Sequence, residues 1–216
     1  MRRALKISMT VIGILVILVL AVAVWYLANA APIGVGYVAK YLCSSTFISE
    51  RDPKVVFEQD IKPVNPLANV MKWEINYEEK SVTATSLIFF KATAVFREGC
   101  GSTLLQKGAE QLIAQQSFFK PSKLEAPAHP ISDEPWPLGD AGPVAPEKLG
   151  VDSDLLNAAL DAAFAEPSEE NPRKTRAVVI AYDGELVGER YASGFDKDMP
   201  LLGWSMTKSI TSALVG

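Results

Sequence analysis

A serine and a lysine three positions apart are the residues of this chain best suited to covalent chemistry. Ser205 and Lys208 lie in GWSMTKSITSALVG, residues 203–216, whose composition predicts a helix. On a helix, residues three apart share a face, so the Lys208 amine can approach the Ser205 hydroxyl. This arrangement suits a nucleophile and its activating base. Such a base needs a desolvated setting, because an ordinary lysine amine, with a pKa of about 10.4, is protonated at neutral pH.

The predicted start of this helix at Ser205 meets a second requirement of acyl transfer. The N–H groups of a first helical turn have no acceptor within the helix, so that of Ser205 could donate to a developing oxyanion. Three apolar residues that follow, Ile210, Ala213 and Leu214, are spaced to pack inward. The alternative interpretation is structural: Ser205 is an N-cap and Lys208 a solvated helix residue.

The S-x-x-K spacing carries little weight alone, because it is expected by chance about once in a chain of this size. Ser117 and Lys120 repeat it in SFFK, where the serine ends a helix predicted for 104–119 and Pro121 follows the lysine. Ser205 instead follows GFDKDMPLLGW and begins a helix. Context therefore favours Ser205 over Ser117 as the nucleophile.

The remaining reactive side chains predict neither a metal site nor a cofactor. His129, the one histidine, falls in a proline-rich segment that is a poor place to hold a general base. Cys43 and Cys100 could form one disulfide in an oxidising compartment, worth on the order of 4 kcal/mol, or remain as two buried thiols. Two cysteines and one histidine do not make a zinc site.

The N-terminal segment predicts a membrane anchor. Residues 7–27 contain no charge, follow Arg2, Arg3 and Lys6, and as a helix would span about 30 Å, the thickness of a bilayer core. Positive charge stays on the cytoplasmic side, so the body is expected to be exported, periplasmic or extracellular. A signal peptide cleaved after ANA, at 28–30, and a buried soluble helix are the alternatives. The net charge of −4 excludes nucleic acid as a partner.

Composition divides the chain into four parts and predicts an α+β fold. The parts are an anchor or signal segment (1–30), a small α+β region (31–120), a linker (121–146) with half of the 14 prolines, and an incomplete catalytic domain (147–216). KSVTATSLIFFKATAVF, residues 80–96, predicts two strands. A helix is predicted at 150–166 with Leu156, Leu160, Ala163 and Phe164 on one face, and a hairpin at 175–195 around Asp183-Gly184.

The segment RAVVIAYDGELVGERYASGFDKDMPLLGWSMTKSITSALVG, residues 176–216, resembles the start of the catalytic domain of class C β-lactamase-related serine hydrolases. It is most similar to the branch of 6-aminohexanoate-dimer hydrolases and related exported esterases and amidases. LCSSTFISERDP and REGCG resemble the cysteine-containing extension of membrane-anchored members. The resemblance implies that Ser205 is the acylated nucleophile, that Lys208 helps to deprotonate it, and that the fold is an antiparallel sheet with flanking helices.

The chain also departs from that family. The resemblance implies a later tyrosine in a Y-x-N element and a strand with the second oxyanion donor, and neither follows Lys208 in this sequence. The expectation is therefore an N-terminal fragment with negligible catalysis of its own, from an enzyme that hydrolyses a small-molecule amide or ester. The alternatives are a non-hydrolytic, penicillin-binding-like or interaction module, and a gene fragment without function.

Overall fold

The computed structural model describes residues 2–87, 89–106, 108 and 133–216. The chain is α+β and divides into two compact units, Met1–Lys120 with Pro200–Gly216, and Pro121–Met199. Three groups named above, Ser117, Lys120 and His129, lie outside the described residues. So do most of the helix predicted for 104–119 and the first part of the proline-rich segment.

The first unit begins with helices and continues into a sheet. Its helical elements are α1 (Arg2–Phe47), α2 (Pro53–Val56), a π-helical turn (Phe57–Ile61) and a 3-10 turn (Pro66–Val70). Its strands are β1 (Met71–Asn76), β2 (Ser81–Ser86), β3 (Phe90–Arg97) and β4 (Gly101–Leu104). The strands form one antiparallel sheet in the order β1-β2-β3-β4.

Helix α1 has two halves with different surroundings. The stretch from Val11 to Phe47 contains an apolar window with a mean hydropathy of 2.9, none of it buried, which is long and apolar enough to cross a membrane. From Ala31 onward the helix packs on the sheet, with Val35, Val38 and Leu42 fully buried. The helix therefore does not end near residue 30, where the sequence predicts a boundary, because its second half supplies the core of the first unit.

The sheet packs one face on α1 and leaves the other to solvent. Val82, Ala84 and Ala94 are fully buried in the core with α1. On the opposite face, hydroxyl side chains meet across strands, as in the 2.9 Å hydrogen bond between Thr83 and Thr93. The two strands predicted within 80–96 are confirmed as β2 and β3, whereas β1 and β4 are additions that the composition does not predict.

A buried ion pair joins the end of α1 to the π-helical turn. The Arg51 guanidinium lies 2.6 Å from Asp60, with the two side chains 9% and 2% exposed. The hydroxyl of Tyr41, on α1, donates to the same carboxylate at 3.2 Å. A buried carboxylate needs such partners to offset its lost hydration, so these contacts determine how the chain turns after α1.

The second unit confirms the helix and hairpin predicted for it. Its elements are a 3-10 turn (Pro146–Leu149), α3 (Ser153–Phe164) and the antiparallel pair β5 (Ala177–Tyr182) and β6 (Glu185–Tyr191). Asp152 caps α3 by accepting from the N–H groups of Asp154 and Leu155. The four residues predicted to share a face of α3 are all buried or half-buried: Leu156, Leu160, Ala163 and Phe164.

The last segment of the chain belongs to the first unit. The hydroxyl of Ser49 donates to the Pro200 carbonyl at 2.6 Å, and the ring of Trp204 lies 5.9 Å from that of Tyr37. The sequence predicts one domain over 147–216, but Pro200–Gly216 clusters with α1 and its sheet instead.

Candidate functional site

Ser205 and Lys208 lie at the start of the last helix. A 3-10 turn (Trp204–Met206) leads directly into α4 (Thr207–Val215). The Lys208 Nζ lies 2.9 Å from the Ser205 Oγ and donates a hydrogen bond to it. The structure therefore brings together the two residues that the sequence singles out.

The backbone before Ser205 is held in an unusual conformation. Trp204 has a φ of 45°, in the left-handed region that side chains larger than glycine rarely occupy. The hydroxyl of Thr207 donates to the Trp204 carbonyl at 2.7 Å, and Met206 N–H donates to the Gly203 carbonyl at 2.9 Å. Such a conformation persists only where its surroundings impose it, and it determines the direction in which Ser205 leaves the turn.

Two tyrosines of α1 provide that support. The Trp204 ring is stacked on Tyr37, with 5.9 Å between ring centroids and 26° between planes, and is tilted on Tyr41 at the same distance. Each such aromatic pair contributes about 0.5–1.5 kcal/mol beyond the area that it buries. Tyr41 is in turn held by Asp60. The turn that carries Ser205 is therefore connected to the buried ion pair.

The pair is open to solvent. Both side chains are exposed. The sequence predicts that Ile210, Ala213 and Leu214 pack inward, and this prediction is wrong: Ile210 is 61% and Leu214 83% exposed. Their apolar face has no covering element in the part of the chain that the structure describes. The desolvation that a lysine base requires is accordingly absent at this position.

The geometry fits nucleophile activation in one protonation state only. When Lys208 is protonated, its ammonium group donates a hydrogen bond to the serine oxygen. A neutral Lys208 amine at the same distance would instead accept the serine proton. The N–H of Ser205 belongs to the 3-10 turn that precedes α4. One nucleophile and one adjacent amine are thus placed together.

The other candidate residues stand apart from this pair. Cys43 is buried and Cys100 exposed, and both are free thiols, so the disulfide that the sequence allows is not formed in the structure. Among the described residues, no group of three or more His, Cys, Asp or Glu side chains is placed to hold a metal ion. Neither cysteine is part of the candidate site at Ser205 and Lys208.

Tyr191, in the second unit, holds its proton more tightly than an ordinary tyrosine. The Tyr191 hydroxyl donates to the Glu189 carboxylate, and this hydrogen bond raises the pKa of Tyr191 to about 12. A general base must be deprotonated near the working pH, so the raised pKa makes Tyr191 unsuitable for the role of the tyrosine that the resemblance implies.

A shallow depression on the open face of the sheet offers a different environment. Its volume is about 320 Å³. It is lined by hydroxyl, amide and charged side chains: Glu74, Asn76, Glu79, Ser81, Thr83, Lys91 and Thr93. No nucleophile in it has an adjacent activating base of the kind seen at Ser205, so the candidate site remains the serine and lysine pair.

The aromatic support of the site could not be assigned a role from the sequence. Tyr37 and Tyr41 are four residues apart on a helix, a spacing that places two rings on one face. That spacing is the available signal, but it does not indicate which distant segment covers the rings. Comparison with protein families, with curated proteins and with solved structures found no match to this chain.

Proposed function

We propose that this chain is part of an exported, membrane-anchored serine hydrolase that cleaves an amide or ester bond through an acyl-enzyme. The observation that carries the proposal is the 2.9 Å contact between the Lys208 Nζ and the Ser205 Oγ at the start of a helix. The likeness of residues 176–216 to class C β-lactamase-related hydrolases, with their antiparallel sheet and flanking helices, supports the same assignment. We propose membership of that superfamily on these two grounds.

The proposed reaction has two steps. Ser205 Oγ attacks the substrate carbonyl while its proton moves to the neutral amine of Lys208, and the Ser205 N–H donates to the oxyanion that forms. Collapse breaks the carbonyl bond to the leaving amine or alcohol, which takes up the proton, and leaves an ester on Ser205. Water then attacks this ester and releases the acid, restoring the serine hydroxyl.

The anchor is the second part of the proposal. Residues 11–26 of α1 are all exposed, and Ile17, Val19 and Trp25 are each more than 65% exposed. Lipid would cover these side chains if the helix spans a bilayer. Arg2, Arg3 and Lys6 precede the span and favour a cytoplasmic N-terminus, and the proposal therefore has the sheet and Ser205 on the exported side.

For the 216-residue chain alone we expect acylation at most, without efficient turnover. The Y-x-N tyrosine that the resemblance implies does not occur in these residues, and the described site is exposed to water. Loss of one oxyanion donor alone lowers kcat about 100- to 1,000-fold. A second candidate function, a non-hydrolytic penicillin-binding-like or interaction module, is favoured by the same exposure of Ser205 and Lys208.

The kinetics of a generic p-nitrophenyl ester separate these functions. A chain that turns over gives linear p-nitrophenol release beyond one equivalent, whereas a chain that only acylates gives a single burst of at most one equivalent, and a module without a nucleophile at Ser205 gives neither. Either signal must vanish in Ser205→Ala and persist in Ser212→Ala, a matched exposed serine on the same helix. Release that is equal in both variants would show that Ser205 is not the nucleophile and would overturn the proposal.

A further inference from the structure

The sheet of the first unit has a defined orientation on α1. At one end, an atom added at the Cβ position of Gly34 would lie 2.7 Å from Met71 Cε, so β1 begins beside Gly34. At the other end, the Tyr77 ring lies 5.9 Å from Phe47. Strand β1 therefore runs from the level of Gly34 to the level of Phe47, and its first residue is the one nearer to the apolar half of α1.

The turn between β2 and β3 lies at that same end. Ser86 pairs with Met71 and with Phe90, so the chain reverses next to the start of β1. Among the described residues of this reversal, Leu87 is 51% and Phe89 is 86% exposed. Polar residues are usual in such a turn, so exposure of an aromatic ring there is unexpected for a surface in water.

Three further exposed apolar residues lie at this level of α1. Ile33, on the helix, is 75% exposed, and Val70, next to Met71, is 60% exposed. Val64 is 67% exposed and adjoins Asn65, whose amide would lie 3.7 Å from an atom added at Gly34 Cβ. We refer to these five residues as the apolar collar: Ile33, Val64, Val70, Leu87 and Phe89.

The two ends of the sheet carry different exposed charges. Lys72 and Lys91, the second residues of β1 and β3, lie near the collar and are both exposed. The turns at the opposite end carry three exposed carboxylates and one exposed amine, those of Glu78, Glu79, Glu98 and Lys80. Amines beside apolar side chains match a layer of lipid phosphates above acyl chains, whereas carboxylates do not.

We propose that the apolar collar is a second membrane contact, which rests on the bilayer surface where α1 emerges. Leu27, where the predicted span of residues 7–27 ends, and Gly34 are separated by about 10 Å along a helix. The interfacial layer is about 5–8 Å thick on each side. The turn that carries Leu87 and Phe89 directly follows Ser86, which pairs with Met71 beside Gly34. The occupant is the lipid interface itself, continuous with the span; this inference rests on the membrane-spanning part of the proposed function.

Site-specific fluorescence in proteoliposomes tests this contact. The full chain, with the exposed Cys100 changed to serine, carries an environment-sensitive label at one introduced cysteine: Phe89→Cys or Leu87→Cys in the collar, Glu79→Cys at the far end, or Leu18→Cys in the span. A lipid that carries a nitroxide at the first acyl carbons is the quencher. With this shallow quencher we expect roughly twofold quenching at positions 87 and 89 and none at position 79. A second lipid, with its nitroxide deep in the acyl chain, should quench the label at position 18 to a comparable extent.

The outcomes separate the collar from the anchor. Quenching at position 18 without quenching at 87 and 89 would overturn the collar contact while leaving the anchor intact, and would leave the collar to a protein partner or to water. Absence of quenching at all three positions would overturn both. Because Phe89 and Leu87 are exposed, their replacement removes no core contact, and agreement between the two positions guards against a locally misfolded variant.

Discussion

The amine of Lys208 donates a 2.9 Å hydrogen bond to the hydroxyl of Ser205. The contact joins one turn of α4 to the turn before it, and its chemical meaning depends on where the proton lies. With a protonated lysine the serine is merely solvated, whereas with a neutral lysine it is a nucleophile. A test of the site must therefore change the proton acceptor and not only the serine.

Replacement of Lys208 by methionine should slow acylation of Ser205 by about 100-fold or more, the usual contribution of a positioned base. Lys208→Arg should not restore the rate, because a guanidinium keeps its proton. The measurement is the rate of labelling by a fluorophosphonate as a function of pH. We expect both variants to be slowed relative to the parent chain across the pH range measured; an arginine variant that matches the parent would rule out a base at this position.

Trp204 is predicted to act as a positioning residue. Trp204→Ala removes the rings stacked on Tyr37 and Tyr41, so the turn should lose its support and labelling of Ser205 should slow by roughly tenfold. Trp204→Phe keeps an aromatic ring and should stay within about threefold of the parent. Equal losses in the two variants would contradict support of the turn by ring contacts, and a shared pH profile with the parent would show that the base itself is unchanged.

The buried pair of Arg51 and Asp60 should be the most sensitive position of the first unit. Asp60→Ala leaves a guanidinium that is only 9% exposed beside an empty site, and should lower the free energy of unfolding by about 3–5 kcal/mol. Glu58→Gln is the matched control, since the exposed pair of Glu58 with Lys62 contributes about 0.3–0.5 kcal/mol. Urea unfolding in detergent measures both, and equal losses would contradict the assigned role of burial.

The tight turn of the second unit offers a backbone test. Gly184 has a φ of 80° between β5 and β6, in the left-handed region where glycine is favoured. Gly184→Ala should destabilise the hairpin by about 1 kcal/mol, whereas Gly142→Ala, where an added methyl group meets nothing within 4 Å, should be neutral. Amide hydrogen exchange of β5 and β6 measures the difference, and equal protection in the two variants would refute the turn assignment.

Local sequence patterns predicted the elements whose physical cause is local. The Asp183-Gly184 turn, the capping of α3 by Asp152 and the β-branched runs of β2 and β3 depend on residues within a few positions of one another. The continuation of α1 to Phe47 depends instead on the sheet that covers its second half. Composition near residue 30 suggested the end of one segment, but α1 continues past this point because the sheet packs on its second half.

The candidate site was predictable in part for the same reason. The three-residue spacing of Ser205 and Lys208 on a helix determines their contact, and the structure reproduces it. The support from Tyr37 and Tyr41 spans more than 160 residues of sequence, a distance over which periodicity carries no information. The inward packing expected for Ile210 and Leu214 was wrong because helical spacing defines a face but not what covers it.

The most direct test of the central claim is the site of covalent labelling by a fluorophosphonate. The full chain in detergent is labelled, digested and examined by mass spectrometry, beside Ser205→Ala and the matched variant Ser212→Ala. The account predicts one adduct, on Ser205, which is lost in Ser205→Ala and retained in Ser212→Ala. An adduct on another residue, or undiminished labelling in Ser205→Ala, would contradict it.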